Sequence, residues 1–201
     1  AEPYLYYIVT EVEKRNLPIE LALMPLIESD FDASAYSHKH ASGLWQLTPA
    51  IAKYFKVQIS SWYDGRQDVI DSTRAALDFM EYLHRRFDGD WYHAIAAYNL
   101  GEGRVLRALS NNKKQGKPTD FFNLKLPKQT SQYVPKLLAA AQLLKSQKMA
   151  FPTISNSPTI AVLPIDDAVI LDNQKQWQQL EFLNHGVIRF PDSNYYSQWQ
   201  H

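Results

Sequence analysis

A short, nearly wholly apolar segment close to the start of the chain constrains the fold most. Residues 19–24 are apolar at every position except Glu20, so a helix built from them is buried on all sides rather than along one stripe. Pro18 lies where such a helix begins, and its missing N–H costs nothing there. Pro25 is expected to kink or end the helix. Glu28 is therefore predicted to lie at the end of a buried helix.

Two effects raise the pKa of a carboxyl group in that position. Burial disfavours the charged form, and so does the negative end of the helix dipole. A carboxyl group that stays protonated near neutral pH can act as a general acid, which is worth roughly 10²–10⁴-fold in rate. Glu28 is thus the candidate catalytic residue. The alternative is that Glu28 only caps the helix or pairs with a basic residue.

The other strongly periodic segments have helical spacing as well. Thr48 and Asp68 are expected to cap helices, and Thr130 or Ser131 is expected to cap the last one, in which Pro135 is tolerated in the first turns. Because no such segment before residue 148 has strand spacing, we predict a mainly α domain without a substantial sheet. Residues 111–118 are expected to form a mobile surface loop. The predicted helices cover residues 3–15, 49–55, 69–83, 91–98, 102–109 and 131–144.

Charge and composition exclude several classes of function. The chain has 21 basic and 21 acidic residues, which argues against nucleic acid or an anionic membrane surface as the main partner. No apolar run approaches the ~20 residues of a membrane span, so no transmembrane segment is expected in this chain. There is no cysteine, and neither the Asp30-x-Asp32 pair nor the His38-x-His40 pair is completed by further ligands at a suitable spacing. We therefore expect no metal.

A Gly-Leu-Trp-Gln sequence at residues 43–46 follows the candidate acid. Its indole ring offers an apolar platform, and its side-chain amide both donates and accepts hydrogen bonds. These are the groups needed to hold a sugar. The sequence therefore favours a carbohydrate site over a structural role for Glu28.

Five ordered motifs resemble those of the lytic murein transglycosylases, a family of the lysozyme-like superfamily. Their order and spacing match from about residue 4 to about residue 148, which is a specific signal where one motif alone would not be. Segment 62–68, together with the tryptophan at 45, is similar in particular to the membrane-bound lytic transglycosylase D branch. The five motifs are Glu28-Ser29-x-Phe31, Ala35-Tyr36-Ser37, Ala41-Ser42-Gly43-Leu44-Trp45-Gln46, Ala97-Tyr98-Asn99-x-Gly101-x-Gly103 and Thr130-x-x-Tyr133-Val134-Pro135.

The resemblance implies a lysozyme-like, goose-type helical domain over residues 1–150 that acts on peptidoglycan glycan strands. Such a domain would cleave the β-1,4 bond between N-acetylmuramic acid and N-acetylglucosamine and leave 1,6-anhydro ends. Glu28 would serve first as acid and then as base, with the substrate's own acetamido oxygen in place of a second carboxylate. No cofactor is implied.

The resemblance also implies a set of substrate-binding residues. Those at motif positions are expected to bind or orient the substrate, and Tyr98 is expected beside the acid. Aromatic residues at 45, 62 and 63 are expected to serve as sugar platforms. The expected set comprises Ser37, Gly43, Trp45, Gln46, Trp62, Tyr63, Tyr98, Asn99 and Tyr133.

The chain departs from the family at one position. Gln129 stands where the family usually has a glutamate before the threonine of the last motif. Two other functions stay open at this point. One is a hydrolytic muramidase resembling goose-type lysozyme, and the other is a catalytically silent peptidoglycan-binding protein.

Beyond residue 150 the composition changes. Pro152, Pro158 and the serines and asparagine between them form a linker-like run. A short hairpin and a helix are expected after it, so residues 151–201 are predicted to be a C-terminal extension of mixed structure and unknown role. By resemblance, the protein is expected in the bacterial periplasm, associated with the outer membrane through an anchor outside this chain. Peptidoglycan-binding modules or regulators are possible outside it too.

Overall fold

The computed structural model describes residues 2–146, so the predicted extension at 151–201 and the boundary near residue 150 lie outside the described residues. Within residues 2–146 seven α-helices are present and no strand is, which confirms the predicted helical class. None of these helices is long and apolar enough to cross a membrane. The elements are α1 (Glu2–Lys14), a 3-10 helix (Ile19–Leu23), α2 (Met24–Ser29), α3 (Pro49–Tyr54), α4 (Val69–Arg86), α5 (Trp91–Leu100), α6 (Glu102–Lys114), a 3-10 helix (Phe121–Asn123) and α7 (Lys128–Lys145).

Helix α5 is the centre of the domain. It packs against α4, α6 and α7, and residues 93–97 in its middle are buried. Three of those five are alanines, whose small side chains allow neighbouring helices to approach closely. A helix that is apolar on every side is stable only when it is covered on every side. The predicted helix at 91–98 is thus confirmed, and its end at Gly101 is confirmed too.

Capping residues define where the helices begin. The Asp68 carboxylate accepts hydrogen bonds from the backbone N–H groups of Ile70 and Asp71, and the Thr48 hydroxyl accepts one from Ile51. Both predicted caps are confirmed. Helix α7 differs from the prediction, because it begins at Lys128 without a side-chain cap. Thr130 lies inside its first turn instead.

The segment leading to Glu28 is built differently from the predicted single helix. A 3-10 helix ends at Leu23, and α2 starts with Met24 and Pro25 in its first turn. The predicted break in the helix is therefore present next to Pro25, but Pro25 lies in the first turn of the second helix, where an N–H has no partner within the helix and proline loses nothing. Ile19 is largely exposed, so burial on all sides holds only from Leu21 onward. Asp30, in the left-handed conformation, ends α2 just after Glu28.

Helix α6 extends into the stretch predicted to be a mobile loop. It continues to Lys114, and Asn112 on its last turns is buried. The Asn112 side-chain amide donates to the carbonyl oxygens of Pro118 and Asn123. These two bonds tie residues 111–118 to the body of the domain.

The loop that carries residues 42–46 is held by Arg66, which is only 4% exposed. One terminal nitrogen of its guanidinium donates to the carbonyl oxygens of His40 and Leu47, one on either side of that loop. The rest of the group pairs with the Asp64 carboxylate at 2.6 Å. A buried guanidinium needs such a full set of partners. Sequence reasoning did not single out Arg66, although it lies in the segment 62–68 that resembles one branch of the family.

Candidate active site

Glu28 lies at the end of α2 and contacts α7, the last helix of the described residues. The Tyr133 hydroxyl, from α7, donates a hydrogen bond of 2.5 Å to Glu28 Oε1. Burial raises the pKa of Glu28 to about 7, although the bond from Tyr133 acts in the opposite direction. Burial also raises the pKa of Tyr133 well above its usual value, so this hydroxyl stays protonated and can donate. The site therefore holds a carboxyl group poised to give and take a proton near neutral pH.

Tyr98 lies close to Glu28 but is hydrogen-bonded elsewhere. Its hydroxyl donates to the Trp45 carbonyl oxygen at 2.7 Å. The pKa of Tyr98 is raised well above its usual value, first by burial and then by the negative charge of Glu28. The structure thus places Tyr98 beside the acid, as the motifs predicted. The group that directly contacts the Glu28 carboxyl is Tyr133.

Ser29 connects α2 to the same loop. Its hydroxyl donates to the Leu44 carbonyl oxygen at 2.9 Å. The next carbonyl oxygen, that of Trp45, accepts from Tyr98. Two consecutive carbonyl oxygens of the loop therefore hold Ser29 and Tyr98, the two neighbours of Glu28. Sequence reasoning did not name Ser29 as a site residue. Its place in the first motif, next to Glu28, was the available signal.

Several predicted substrate-binding residues make bonds within the protein. The Gln46 amide donates to the carbonyl oxygens of Ala35 and Gly43, and the Ser37 hydroxyl accepts from the Ala41 N–H. The Asn99 side-chain oxygen accepts from the Thr130 hydroxyl at 2.8 Å, which joins the end of α5 to the start of α7. Each of these side chains is partly exposed, so each retains surface that a substrate could contact.

Gly43 is required by the backbone. It has a φ of +80°, and a Cβ atom built there would lie 1.7 Å from the Arg66 carbonyl oxygen. Any side chain would force the loop and the 62–68 segment apart. The close approach of the two backbone segments therefore accounts for a glycine at position 43, and no contact with a substrate is needed to account for it.

Two of the three predicted sugar platforms are wrong. Trp45 is fully buried, and its indole N–H donates to the Thr73 hydroxyl on α4. Tyr63 is buried as well. A ring inside the core cannot stack on a ligand, because both of its faces are already covered by protein atoms. Trp62 is 46% exposed and keeps a free surface.

Gln129 is exposed on the first turn of α7. Thr130, the next residue, is buried and bonded to Asn99. The neutral amide therefore points away from the packed side of the helix, and the contact between Glu28 and Tyr133 forms without it.

Among residues 2–146, no group of three or more histidine, aspartate or glutamate side chains is placed to hold a metal ion.

Together, these features define a helical domain organised around one carboxyl group of raised pKa. Residues 6–121 match the model of the transglycosylase SLT domain. The fold is similar to that of lytic transglycosylase Slt from Pseudomonas aeruginosa, solved as an inactive variant, with a TM-score of 0.55 and 25% identity over 70% of this chain and 23% of that one. The chain belongs to the transglycosylase SLT domain family, which confirms the resemblance carried by its motifs.

Two relatives are similar over most of this chain. The membrane-bound lytic murein transglycosylase D of Escherichia coli (strain K12) is 45% identical over 86% of this chain, which spans 40% of that protein's length. A protein of Alteromonas sp. (strain M-1), named for tributyltin chloride resistance, is 77% identical over 90% of this chain and 87% of its own length.

The hydrogen bond from Tyr133 gives a prediction about pH dependence. Tyr133→Phe removes the donor that lowers the pKa of Glu28, so this pKa should rise above its value of about 7. Activity that requires protonated Glu28 should then persist to higher pH, and the alkaline limb of the pH–rate profile of kcat/KM should move upward. Tyr98→Phe is the matched control, because its hydroxyl is bonded to Trp45 and not to Glu28. An unmoved limb in Tyr133→Phe would contradict this assignment.

The raised pKa of Glu28 also predicts a stability difference. The folded protein holds this proton up to about pH 7, whereas the unfolded chain releases it near 4.5. As the pH rises from 4.5 to 7, the free energy of unfolding of the wild type should therefore decrease relative to that of Glu28→Gln. Above pH 7 the decrease should reach about 3 kcal/mol. Below pH 4 the two proteins should differ by a constant amount. Urea unfolding at pH 4, 6 and 8 measures this, and a difference that does not change with pH would refute it.

Proposed function

We propose that this chain is a peptidoglycan lytic transglycosylase that cleaves the β-1,4 bond between N-acetylmuramic acid and N-acetylglucosamine. The observation that carries the proposal is the buried Glu28 carboxyl group, which Tyr133 holds by a hydrogen bond and whose pKa burial raises to about 7. Membership of the transglycosylase SLT family and the name of the E. coli relative support the choice of substrate.

In the first half of the proposed reaction, Glu28 donates its proton to the glycosidic oxygen. The bond from that oxygen to the anomeric carbon of N-acetylmuramic acid breaks, and the leaving sugar departs with a new hydroxyl group. The substrate's acetamido oxygen stabilises the positive charge on the anomeric carbon. Tyr133 acts as a positioning residue here, because its bond to Oε1 fixes the carboxyl group and leaves Oε2 for the substrate.

In the second half, Glu28 is an anion and accepts the proton of the sugar's C6 hydroxyl. The C6 oxygen then bonds to the anomeric carbon, which closes the 1,6-anhydro ring and restores protonated Glu28. A group with a pKa near the working pH can perform both steps, since neither protonation state is strongly favoured. Glu28 loses one proton to the leaving sugar in the first step and gains another from the C6 hydroxyl in the second, so the enzyme ends in its starting state.

The nearest acidic residues along the chain do not provide a second carboxylate of suitable placement. Asp30 and Asp32 are exposed on the loop after α2. The Asp32 carboxylate accepts from the Ser34 N–H and hydroxyl, which commits one of its oxygens to the local turn. This arrangement favours the substrate-assisted reaction over the two-carboxylate reaction of most glycosidases.

The compartment of the protein is proposed to be the cell envelope. We propose the periplasm as its compartment, with attachment to the outer membrane by a segment outside this chain. This proposal rests on the substrate, which lies there, and on the name of the E. coli relative, which calls that protein membrane-bound.

The test of function is a digest of purified peptidoglycan followed by mass spectrometry of the muropeptides. Anhydro ends are expected from the wild type. Reducing ends would instead indicate a hydrolytic muramidase, and no products at all would indicate a silent binding protein. Either result would overturn the proposal.

Glu28→Gln should lower the rate of cleavage by several orders of magnitude, because the amide can neither donate nor accept the proton. The shape of the side chain is preserved, so folding should survive. Glu20→Gln is the control, since Glu20 lies on the preceding 3-10 helix and has no role in the proposed chemistry. Anhydro products formed by Glu28→Gln at near the wild-type rate would remove Glu28 from the mechanism.

We also propose that residues 1–150 contain all of the chemistry and that residues 151–201 are dispensable for it. Within residues 2–146, both Glu28 and its hydrogen-bond partner Tyr133 lie well before residue 150, which supports this division. A chain that ends at residue 150 should fold and form anhydro products at a rate close to that of the full chain. Circular dichroism verifies its folding first, and a folded but inactive product would contradict the proposal.

A further inference from the structure

Charge is unevenly distributed along the chain. Residues 103–128 contain seven basic residues and one acidic residue, although the whole chain has 21 of each kind. A net charge of zero argues against an anionic surface as the main partner of the chain, but it is compatible with one strongly basic region. The basic residues of this region are Arg104, Arg107, Lys113, Lys114, Lys117, Lys125 and Lys128, and the acidic one is Asp120.

The last turn of α6 brings several of these residues together. The Asn112 side-chain amide donates to the carbonyl oxygens of Pro118 and Asn123 at 2.7 and 2.9 Å. The Lys117 N–H donates to the Asn112 carbonyl oxygen at 3.0 Å. These bonds hold the end of α6 against residues 117–118 and against the segment around Asn123. Four exposed lysines lie on or beside the backbone that is joined in this way, namely Lys113, Lys114, Lys117 and Lys125.

Two exposed aromatic rings lie at the same place. Phe122, the neighbour of Asn123, is 64% exposed, and its ring packs edge-on against that of Tyr92 with the centroids 5.8 Å apart. The buried Phe121 ring supports Phe122 from the protein side at 5.2 Å. A phenylalanine ring has no polar group, so its contact with water is unfavourable. We call this surface the basic end, and it consists of Lys113, Lys114, Lys117, Lys125, Phe122 and Tyr92.

The charge of the basic end is not neutralised within the domain. None of its four lysines forms an ion pair with any residue of 2–146. The Asp120 carboxylate, which lies close by in the sequence, accepts a hydrogen bond from the Asn123 amide at 2.8 Å. The ammonium groups are therefore available to an anionic partner outside the domain.

The basic end is remote from the candidate active site. Tyr92 is the second residue of α5, whereas Tyr98 and Asn99 lie at the other end of that helix. Helix α6 starts at Glu102, next to the active-site end of α5, and packs along α5. Its 13 residues extend for about 18 Å at 1.5 Å per residue. The lysines that follow its last turn thus lie well away from the surroundings of Glu28.

We propose that the basic end docks the domain onto an anionic lipid surface. The lysine ammonium groups pair with the lipid phosphates, and the Phe122 ring inserts at the boundary between headgroups and acyl chains. This interaction goes beyond the proposed function and does not depend on it, because it uses neither Glu28 nor a glycan strand. Glu28 would face away from the lipid.

The combination of lysines with a bare ring selects this partner. Lysines close to an anionic leaflet each add to the attraction, and an aromatic or aliphatic side chain among them adds the burial of apolar surface. The phosphates of a nucleic acid duplex would engage the lysines but leave Phe122 in water. A second copy of this chain that used the same surface would place like charges against each other.

The first test is sedimentation of the full chain with phosphatidylcholine vesicles, prepared with and without phosphatidylglycerol. In about 0.1 M salt, where charges interact over ~10 Å, the protein should bind only the vesicles that contain phosphatidylglycerol. Binding should weaken when the salt is raised to about 1 M, because screening then acts over ~3 Å. Equal binding to both kinds of vesicle, or to neither, would overturn the inference.

Charge-matched variants locate the surface. The double variant Lys113→Gln with Lys117→Gln should weaken vesicle binding by about fivefold for each lysine removed, hence on the order of 20-fold. The control is Lys53→Gln with Lys136→Gln, which removes two exposed lysines of α3 and α7. It should bind nearly like the wild type. An equal loss in both variants would show that only total charge matters and would overturn the inference.

Phe122 separates lipid from other anionic partners. Phe122→Ala should weaken vesicle binding roughly threefold to tenfold through loss of buried apolar area, whereas Tyr54→Ala, which removes a ring that is 68% exposed on α3, should not. Unchanged binding by Phe122→Ala would overturn the inference. So would equally tight binding of the wild type to a DNA duplex, since that result would indicate a general site for polyanions.

The chain has no cysteine, so a single introduced thiol can report insertion. Phe122→Cys, labelled with an environment-sensitive dye, should shift its emission to the blue on anionic vesicles, and labelled Tyr54→Cys should not. No shift at Phe122→Cys would overturn the inference. All variants should retain the wild-type Tm and its cleavage of lipid-free peptidoglycan. If the wild type forms no anhydro ends, the proposed reaction fails while the vesicle result still decides this inference.

Discussion

The hydrogen bond from Tyr133 to Glu28 is the contact on which the site depends. It joins residues 105 positions apart, so it exists only when α7 has packed against the region of α2 and the preceding 3-10 helix. The same packing removes water from the carboxyl group and raises its pKa to about 7. Folding and proton transfer are therefore coupled. Ionisation of Glu28 inside the domain costs free energy of folding, and the same cost keeps the proton on Glu28 up to near neutral pH.

Around this contact, several polar side chains hold the protein's own backbone in place. Arg66 fixes the two ends of the loop at residues 40–47, and that loop presents the Leu44 and Trp45 carbonyl oxygens to Ser29 and Tyr98. A site that must place a proton donor to within a fraction of an ångström needs such rigid support. The segment 62–68 supplies it from behind the loop.

The sequence predicted the local features well. The helical class, the caps at Thr48 and Asp68, and the end of α5 at Gly101 follow from patterns spanning a few residues, and the structure confirms them. Glu28 was also recognisable, because it ends an apolar segment. The prediction for Thr130 was wrong, because α7 begins at Lys128 and Thr130 lies inside its first turn. At Pro25 the predicted break is present, but the proline belongs to the helix that follows the break.

By itself, the sequence determined which segments are helical, which carboxyl group is the candidate acid, and which family the motifs resemble. Those properties depend on neighbours along the chain. Only the tertiary structure decided that Trp45 and Tyr63 are core residues rather than sugar platforms, that Arg66 holds the loop, and that Tyr133 rather than Tyr98 contacts Glu28. Burial and pairing between distant residues depend on how the helices pack, and aromatic or polar side chains have the same identity in a sequence whether they face a core partner or water.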